Sequence, residues 1–317
     1  MTTSEQHYLD VVSIGETLID LISDEEQGLL GDSRAFHMYP GGQATNVALN
    51  VARLGGSTAL VARVGDDSFG EFLRYHLNAA GVRTDYVQTT PRTPTTLVVV
   101  SRSHQTPDFS VYRGADARMQ PADMPLDLIP TTSLIHTSAF ALSHEPARST
   151  VLQFVEQMQH SGCLVSFDPN YHPRLWDADE QPLEVFARIC PFVTLTKPSL
   201  DDCVRIFGTG QTPEAYAQRF LALGVRNVVL TMGQGGVLLS NADGNQYFSA
   251  NQVEVVDVTG AGDSFWAGLL LATVDGYEIA DAVKVGQAVA TIKIQQVGPL
   301  THTVDRQVLY KMLGLIH

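Results

Sequence analysis

The chain has 317 residues, 44% hydrophobic and 17% charged, which is enough to bury a large core and too apolar for a disordered protein. Its 20 basic and 34 acidic side chains leave a net charge of −14, which repels nucleic-acid backbones and anionic membranes at long range without forbidding a local phosphate site. Cys163, Cys190 and Cys203 are too few and too widely spaced for a disulfide framework or a zinc pair. The N-terminus is polar and no apolar run approaches the ~20 residues of a membrane helix, so we expect a cytoplasmic protein with no nucleic-acid or membrane partner.

Tyr8–Gly15 reads as a first buried strand, and Ala44–Leu54 as a helix stopped by Gly55-Gly56. Ser68–Ala80 opens on Ser68-x-x-Glu71, a capping-box pattern, and stops at Gly81. Arg34–Tyr39 and Thr95–Arg113 hold strand-like runs with no helix between them, Leu97–Val100 and Phe109–Tyr112 among them. A helix is predicted over Glu145–Ser161 and a short strand over Leu164–Phe167. Thr212-Pro213 starts another helix. Asn227–Thr231 and Val237–Ser240 read as strands, with Asp243-Gly244 as a hairpin turn. Gly262–Ala272, Ala280–Gln295 and Val304–Leu313 look helical. Strand–helix alternation predicts an α/β fold, doubly wound, its mostly parallel sheet covered by helices on both faces. The interrupting strand runs predict a small β-sheet lid from about residues 16–40 and 92–116, and residues 1–317 read as a single domain.

Three segments carry chemistry. In Asp257-Val-Thr-Gly-Ala-Gly-Asp263, a strand-like run, Val253–Val256, enters a glycine turn at a helix start. Backbone N–H groups there favour an anion, and Asp263 beside them could accept a proton from a hydroxyl attacking a phosphoryl group. Taken alone, the same turn also reads as a plain capped helix start. Pro40-Gly-Gly-Gln-Ala-Thr-Asn46 places two glycines before a helix with an amide in its first turn, suited to a polyhydroxy ligand or to a simple hinge. Gly15-Glu-Thr-Leu-Ile-Asp20 sets an acid just past the first strand, able to accept two sugar hydroxyls or merely exposed on a loop. His136 reads as a core or supporting residue rather than a metal ligand.

Together these segments resemble the ribokinase-like (PfkB-type) carbohydrate kinase family along nearly the whole chain. The resemblance implies phosphoryl transfer from ATP with Mg²⁺, Asp263 as general base and Gly260, Ala261 and Gly262 as anion hole. It implies sugar binding by Asp20, Gly41, Gly42, Asn46, Arg113 and Asn170. Nucleotide binding falls to Lys197, Ser199, Thr231, Gly233, Gly235, Gly236 and Gln287. Asp257 and Val258 match the start of a loop that holds a monovalent cation, K⁺ in many members, completed by carbonyls of the Gln295–Gly298 region. Where many relatives carry Asn-x-x-Glu, this chain has Ser199-Leu-Asp-Asp202, so Asp202 would act on magnesium through water.

Phe167-Asp-Pro-Asn170-Tyr-His-Pro-Arg-Leu-Trp176 resembles a segment of fructokinases and 2-keto-3-deoxygluconate kinases, and Val111-Tyr112-Arg113 resembles their lid. His172 stands where an arginine is usual and Val111 where a tyrosine is frequent. Losing a bidentate guanidinium leans against a carboxylate substrate and towards fructose. The alternatives are 2-keto-3-deoxygluconate, another sugar or sugar acid, and a sugar sensor without transferase activity. A homodimer through the lid edges is implied by analogy. A dinucleotide-binding Gly-x-Gly-x-x-Gly after the first strand and a Gly-x-x-x-x-Gly-Lys-Ser/Thr loop are both absent.

Overall fold

Val11 and Val12, adjacent in the first strand, are both fully buried yet join different apolar clusters, so this strand is covered on both faces. The computed structural model describes residues 8–26, 30–102, 108–177, 179–296 and 303–315. In chain order, β1 (Leu9–Ile14), β2 (Leu18–Glu26) and β3 (Phe36–Gly41) precede α1 (Gln43–Arg53), β4 (Thr58–Gly65), α2 (Ser68–Ala79) and β5 (Val87–Thr90). Next come β6 (Leu97–Arg102), β7 (Phe109–Tyr112), β8 (Thr132–Ser138), α3 (Ala147–His160) and β9 (Leu164–Asp168). They are followed by α4 (Pro182–Ile189), β10 (Leu195–Thr196), α5 (Leu200–Phe207) and α6 (Pro213–Ala222). The hairpin β11 (Asn227–Thr231), β12 (Val237–Asn241) and β13 (Gly244–Phe248) leads to α7 (Ala261–Val274), α8 (Ile279–Ile294) and α9 (Arg306–Met312).

The large sheet runs β13-β12-β11-β10-β9-β8-β1-β4-β5, parallel from β11 to β5 and antiparallel only at the β11–β12–β13 edge. One face packs on α3, α4, α5 and α6, the other on α1, α7, α8 and α9. The doubly wound reading therefore holds. A separate sheet, β3-β2-β6-β7, gathers the two segments that interrupt the alternation.

Helix α7 is apolar all round, with Phe265, Trp266, Leu269, Leu270 and Leu271 buried, as expected of a helix enclosed by protein. It lies between α1 and α8. Burial of each large side chain is worth roughly 1.5–3 kcal/mol, so the position of its N-terminus is set by packing along its whole length.

Local expectations needed correction at three places. The N-cap of α2 is Asp67, not Ser68: Asp67 Oδ1 accepts from Gly70 N–H at 2.9 Å. Asp67 wins because it also accepts Thr95 Oγ1–H at 2.7 Å and Thr95 N–H at 2.8 Å, joining the helix start to the segment that enters the small sheet. Helix α3 begins at Ala147, after Pro146, instead of Glu145. Val253–Val256 forms no strand, because Val256 and Asp257 N–H both bond to the Ile294 carbonyl at the end of α8 rather than to a neighbouring strand. Asp67→Ala should lower unfolding free energy by about 1–2 kcal/mol, the cost of a lost N-cap. Urea denaturation would measure it, and no change would mean the Thr95 contacts are dispensable.

Candidate active site

The site forms at the carboxyl ends of β1, β8, β9 and β10, where an open α/β sheet places its ligands. Gly42, with φ 99°, is the N-cap of α1, and a Cβ there would stand 2.6 Å from the Glu16 carbonyl oxygen. Only glycine lets the start of α1 close on the loop after β1. Gly41 lies beside the Asp20 carboxylate. One turn into α1, Asn46 Nδ2 donates to Asp263 Oδ2 at 2.9 Å.

Asp263 is in the first turn of α7, behind Gly260 in the left-handed conformation, φ 73°. The helix ladder starts with Ser264 N–H to the Gly260 carbonyl at 3.0 Å, and Ala261 N–H turns back to the Val258 carbonyl at 3.1 Å. The N–H groups of Gly262 and Asp263 therefore precede the ladder, at the positive end of a 14-residue helix. Burial pushes the Asp263 carboxyl up to about 6; the Lys197 charge opposes this, Asp168 adds to it, and the Asn46 bond opposes it. Burial, then the charges of Asp263 and Glu16, push Asp20 up to about 7. Glu16 is likewise raised to about 7, chiefly by burial.

Behind these residues runs a buried polar chain that sequence reasoning missed. Gln43 N–H donates to Glu16 Oε1 at 2.7 Å, and Ser138 Oγ–H donates to Glu16 Oε2 at 3.0 Å. Gln43 Nε2 donates to Asp168 Oδ2 at 2.9 Å, and Lys197 Nζ lies 3.0 Å from the same oxygen. Since the Gln43 amide nitrogen faces a carboxylate, its Oε1 must accept from His136 Nε2–H, at 2.8 Å. His136 Nδ1 then accepts from Ser166 Oγ–H at 2.8 Å, and Ser166 Oγ accepts from Trp266 Nε1–H at 2.9 Å. Burial, then Lys197, lowers the imidazole to about 3, so His136 stays neutral and holds this one tautomer. Gln43, Glu16 and Asp168 all lie within or beside motifs that drew attention for their neighbours, which was the available signal.

The expected nucleotide residues gather on the other side of Lys197, whose Nζ would stand 3.6 Å from a Cβ at Gly262. Ser199 caps α5: Asp202 N–H donates to its Oγ at 3.0 Å, while Asp202 Oδ2 accepts from Ser199 N–H at 2.9 Å and Oγ–H at 2.6 Å. Asp202 Oδ1 faces Arg205 at 3.4 Å. Thr231 bonds to Pro198 through its N–H at 2.9 Å, bringing the end of β11 beside Ser199. Gly233 and Gly235 bound a single 3₁₀ turn between β11 and β12, and Gly236 closes it. Gln287 lies on α8 and donates to the Ser249 carbonyl at 2.9 Å.

Other expected residues are engaged by neighbours of their own. Arg113 donates through Nε to Asp116 at 2.8 Å, through Nη1 to Ser143 Oγ at 2.6 Å and through Nη2 to the Phe140 carbonyl at 3.2 Å, with its guanidinium over the Phe140 ring. Asn170 is exposed, with its N–H on Asp168 Oδ1 at 3.1 Å. His172 packs edge-on against Phe109 at 4.6 Å, and Arg174 bonds to Asp108 at 3.0 Å and the Phe109 carbonyl at 3.2 Å. At Asp257, expected with Val258 around a monovalent cation, Lys293 Nζ donates to the backbone carbonyl at 2.9 Å and to Oδ2 at 3.2 Å. Of the expected Gln295–Gly298 carbonyls, residues 297 and 298 lie outside the described residues.

Residues 9–305 match the pfkB family carbohydrate kinase pattern. The chain belongs to the PfkB family of carbohydrate kinases. It is 34% identical over 306 residues to an ATP-dependent 6-phosphofructokinase of Thermoanaerobacterium thermosaccharolyticum, covering 96% of this chain and 94% of that protein. A fructokinase of Halothermothrix orenii superposes with a TM-score of 0.80 at 36% identity, over 89% of this chain and 98% of that one. A fructokinase double mutant from Vibrio cholerae O395, solved with fructose, ADP and a potassium ion bound, gives a TM-score of 0.81 at 30% identity over 97% and 99%. The chain is thus a sugar phosphotransferase, and its family implies ATP and a divalent metal. No group of three His, Cys, Asp or Glu side chains among the described residues could cage a metal, and no described helix is long and apolar enough to cross a membrane.

Proposed function

We propose that this PfkB kinase transfers the γ-phosphoryl group of ATP to the terminal hydroxyl of fructose. The observation that carries the substrate choice is the charge of the sugar end. Asp263 and Glu16 both lie close enough to Asp20 for their charges to raise its proton affinity. A second anion there would meet repulsion. Arg113, the arginine expected at the sugar, is already committed to Asp116, Ser143 and Phe140. A neutral polyhydroxy ligand instead finds acceptors in Asp20 and both a donor and an acceptor in Asn46.

In this reading Asp20, Gly41, Gly42 and Asn46 orient the sugar, and Asn170 at the end of β9 borders it. Asp263 accepts the hydroxyl proton as the oxygen attacks phosphorus. The N–H groups of the Gly260–Gly262 turn and the Lys197 ammonium take the charge that builds on the transferring phosphoryl. Ser199, Thr231, the Gly233–Gly236 turn and Gln287 line the nucleotide end. Magnesium suits a site with few protein carboxylates, because it keeps much of its water; with Asp168 paired to Lys197, Asp202 would hold it through water, and the ion would neutralise phosphate charge. The small sheet acts as the lid over the sugar, within one catalytic domain. Its edge strands β3 and β7 offer free backbone for a homodimer, which light scattering would measure. Three buried free cysteines suit a reducing cytoplasm.

Fructose 6-phosphate is the second reading. It rests on the phosphofructokinase relative and on Arg174, whose side chain is 58% exposed beside a groove of about 470 Å³ along β7. Chromatographic ADP release against fructose, fructose 6-phosphate, ribose, 2-keto-3-deoxygluconate, inositol-derived acids and nucleosides separates the readings. We expect fructose to give the highest kcat/KM. Turnover of fructose 6-phosphate or a sugar acid with none of fructose would overturn the substrate and leave the class intact.

A further inference from the structure

Lys293 has no solvent exposure, although its helix neighbours Ile292 and Ile294 are apolar. An ammonium is tolerated in such a place only with matched partners. It finds them in two oxygens of one residue, the Asp257 carbonyl at 2.9 Å and Asp257 Oδ2 at 3.2 Å. The other carboxylate oxygen, Oδ1, accepts Thr259 N–H at 2.9 Å. Val256 N–H at 2.8 Å and Asp257 N–H at 3.2 Å bond to the Ile294 carbonyl, one residue beyond Lys293. The end of α8 therefore grips residues 256–259 by charge and by backbone, directly ahead of Gly260.

A carbonyl and a carboxylate oxygen converging on one point are hard-cation ligands. Here that point already holds a positive charge tethered to the chain. A potassium ion on the same oxygens would share them with the ammonium and be repelled by it at contact distance. The Val258 carbonyl uses one of its two lone pairs on Ala261 N–H, at 3.1 Å. Among the described residues, the Asp257 oxygens that would hold a monovalent cation are already taken by the Lys293 ammonium, and the two do not fit together.

We propose that Lys293 is the built-in cation of the anion-hole turn, a positioning residue that makes this kinase independent of added potassium. The proposal rests on the reading of Gly260–Gly262 as the phosphoryl site. Its charge fixes Asp257, Asp257 fixes Thr259, and the turn thereby presents Gly262 and Asp263 N–H groups without an ion to be recruited.

The first test exchanges potassium for choline at constant ionic strength, reading ADP directly because coupling enzymes can themselves need potassium. We expect the wild-type rate to change by less than about twofold and the melting temperature by less than about 1 °C. A rate increase of about fivefold, or a potassium-specific rise in melting temperature above about 3 °C, would overturn the proposal. The second test uses Lys293→Met and Lys293→Ser. The Met variant should lose at least about tenfold in kcat with little change in sugar KM, and in the Ser variant potassium or ammonium should restore activity by about threefold over choline. A Met variant with wild-type kcat would equally overturn it. If either variant fails to fold by circular dichroism, the wild-type salt exchange decides alone. If the wild type turns over no sugar in the panel, the functional reading falls, and the melting temperatures still decide the cation.

Discussion

Asp263→Asn is expected to lower kcat by about 10²–10⁴-fold while fructose binding survives. The substitution keeps the shape of the side chain, and Asn46 Nδ2 can still donate to an amide oxygen at the same place. What disappears is the proton acceptor. It also removes one charge that, after burial, raises the neighbouring Asp20, so Asp20 becomes easier to ionise and a better acceptor for sugar hydroxyls. Sugar affinity should therefore hold or improve slightly. The variant should also be more stable above neutral pH. Asp263 is raised to about 6 from its ordinary 3.8, so the folded state binds the proton more tightly than the unfolded chain. Wild-type stability accordingly falls as pH rises through that window, and removing the acid recovers on the order of 1 kcal/mol. Calorimetric titration of fructose, turnover and thermal melts would measure all three. Loss of less than about tenfold in kcat would mean another group takes the proton.

The residues legible in the sequence were those whose backbone needs were local. Glycines ahead of two helices marked Asn46 and Asp263, and the structure brings these side chains together across 217 positions of chain. Asp20 was legible as an acid just beyond a first strand, and it lies within reach of the Asp263 charge. The alternation of strands and helices revealed the large sheet, because each parallel strand needs a covering helix. The buried chain through Gln43, His136, Ser166, Asp168 and Lys197 was not legible. Its members come from the start of α1, from β8 and β9 and from the residue after β10, with bonded partners up to 125 residues apart, and acquire meaning only when the sheet aligns them. A lone His136 on an apolar strand gives no sign of which nitrogen carries the proton; that follows from Gln43, whose orientation follows from Asp168. Asp67 was overlooked for Ser68 because its decisive partner, Thr95, is 28 residues away. Lys293 carried a clue, a lysine between isoleucines in a buried helix, but its partner Asp257 lies 36 residues earlier.

Lys197→Met should both destabilise the protein and displace its pH–rate profile. Lys197 and Asp168 form a pair exposed by only 7% and 1% at their side chains, with 3.0 Å between Nζ and Oδ2. Removing one partner of a buried pair leaves the other charge uncompensated, which costs about 3–5 kcal/mol. Methionine fills most of the volume, so the cost is electrostatic rather than a cavity. In kcat the loss should be about 10²–10³-fold, the value of one preorganised charge on a developing oxyanion. Neither loss alone separates a catalytic lysine from a structural one. The pH profile does. An ionised base is required, so wild-type kcat/KM should rise with pH around 6, where burial has raised Asp263. After burial, the Lys197 charge is the largest influence on that carboxyl, and it acts to lower it. Its removal must move the acid limb to higher pH. An unmoved limb would assign it to Asp20 or Glu16 instead, both raised to about 7. The double variant Asp168→Asn, Lys197→Met completes the test. It removes the orphaned charge, so most of the stability should return, while kcat should stay low because the phosphoryl group still lacks its cation. Recovery of both would make Lys197 a scaffold for Asp168 and nothing more.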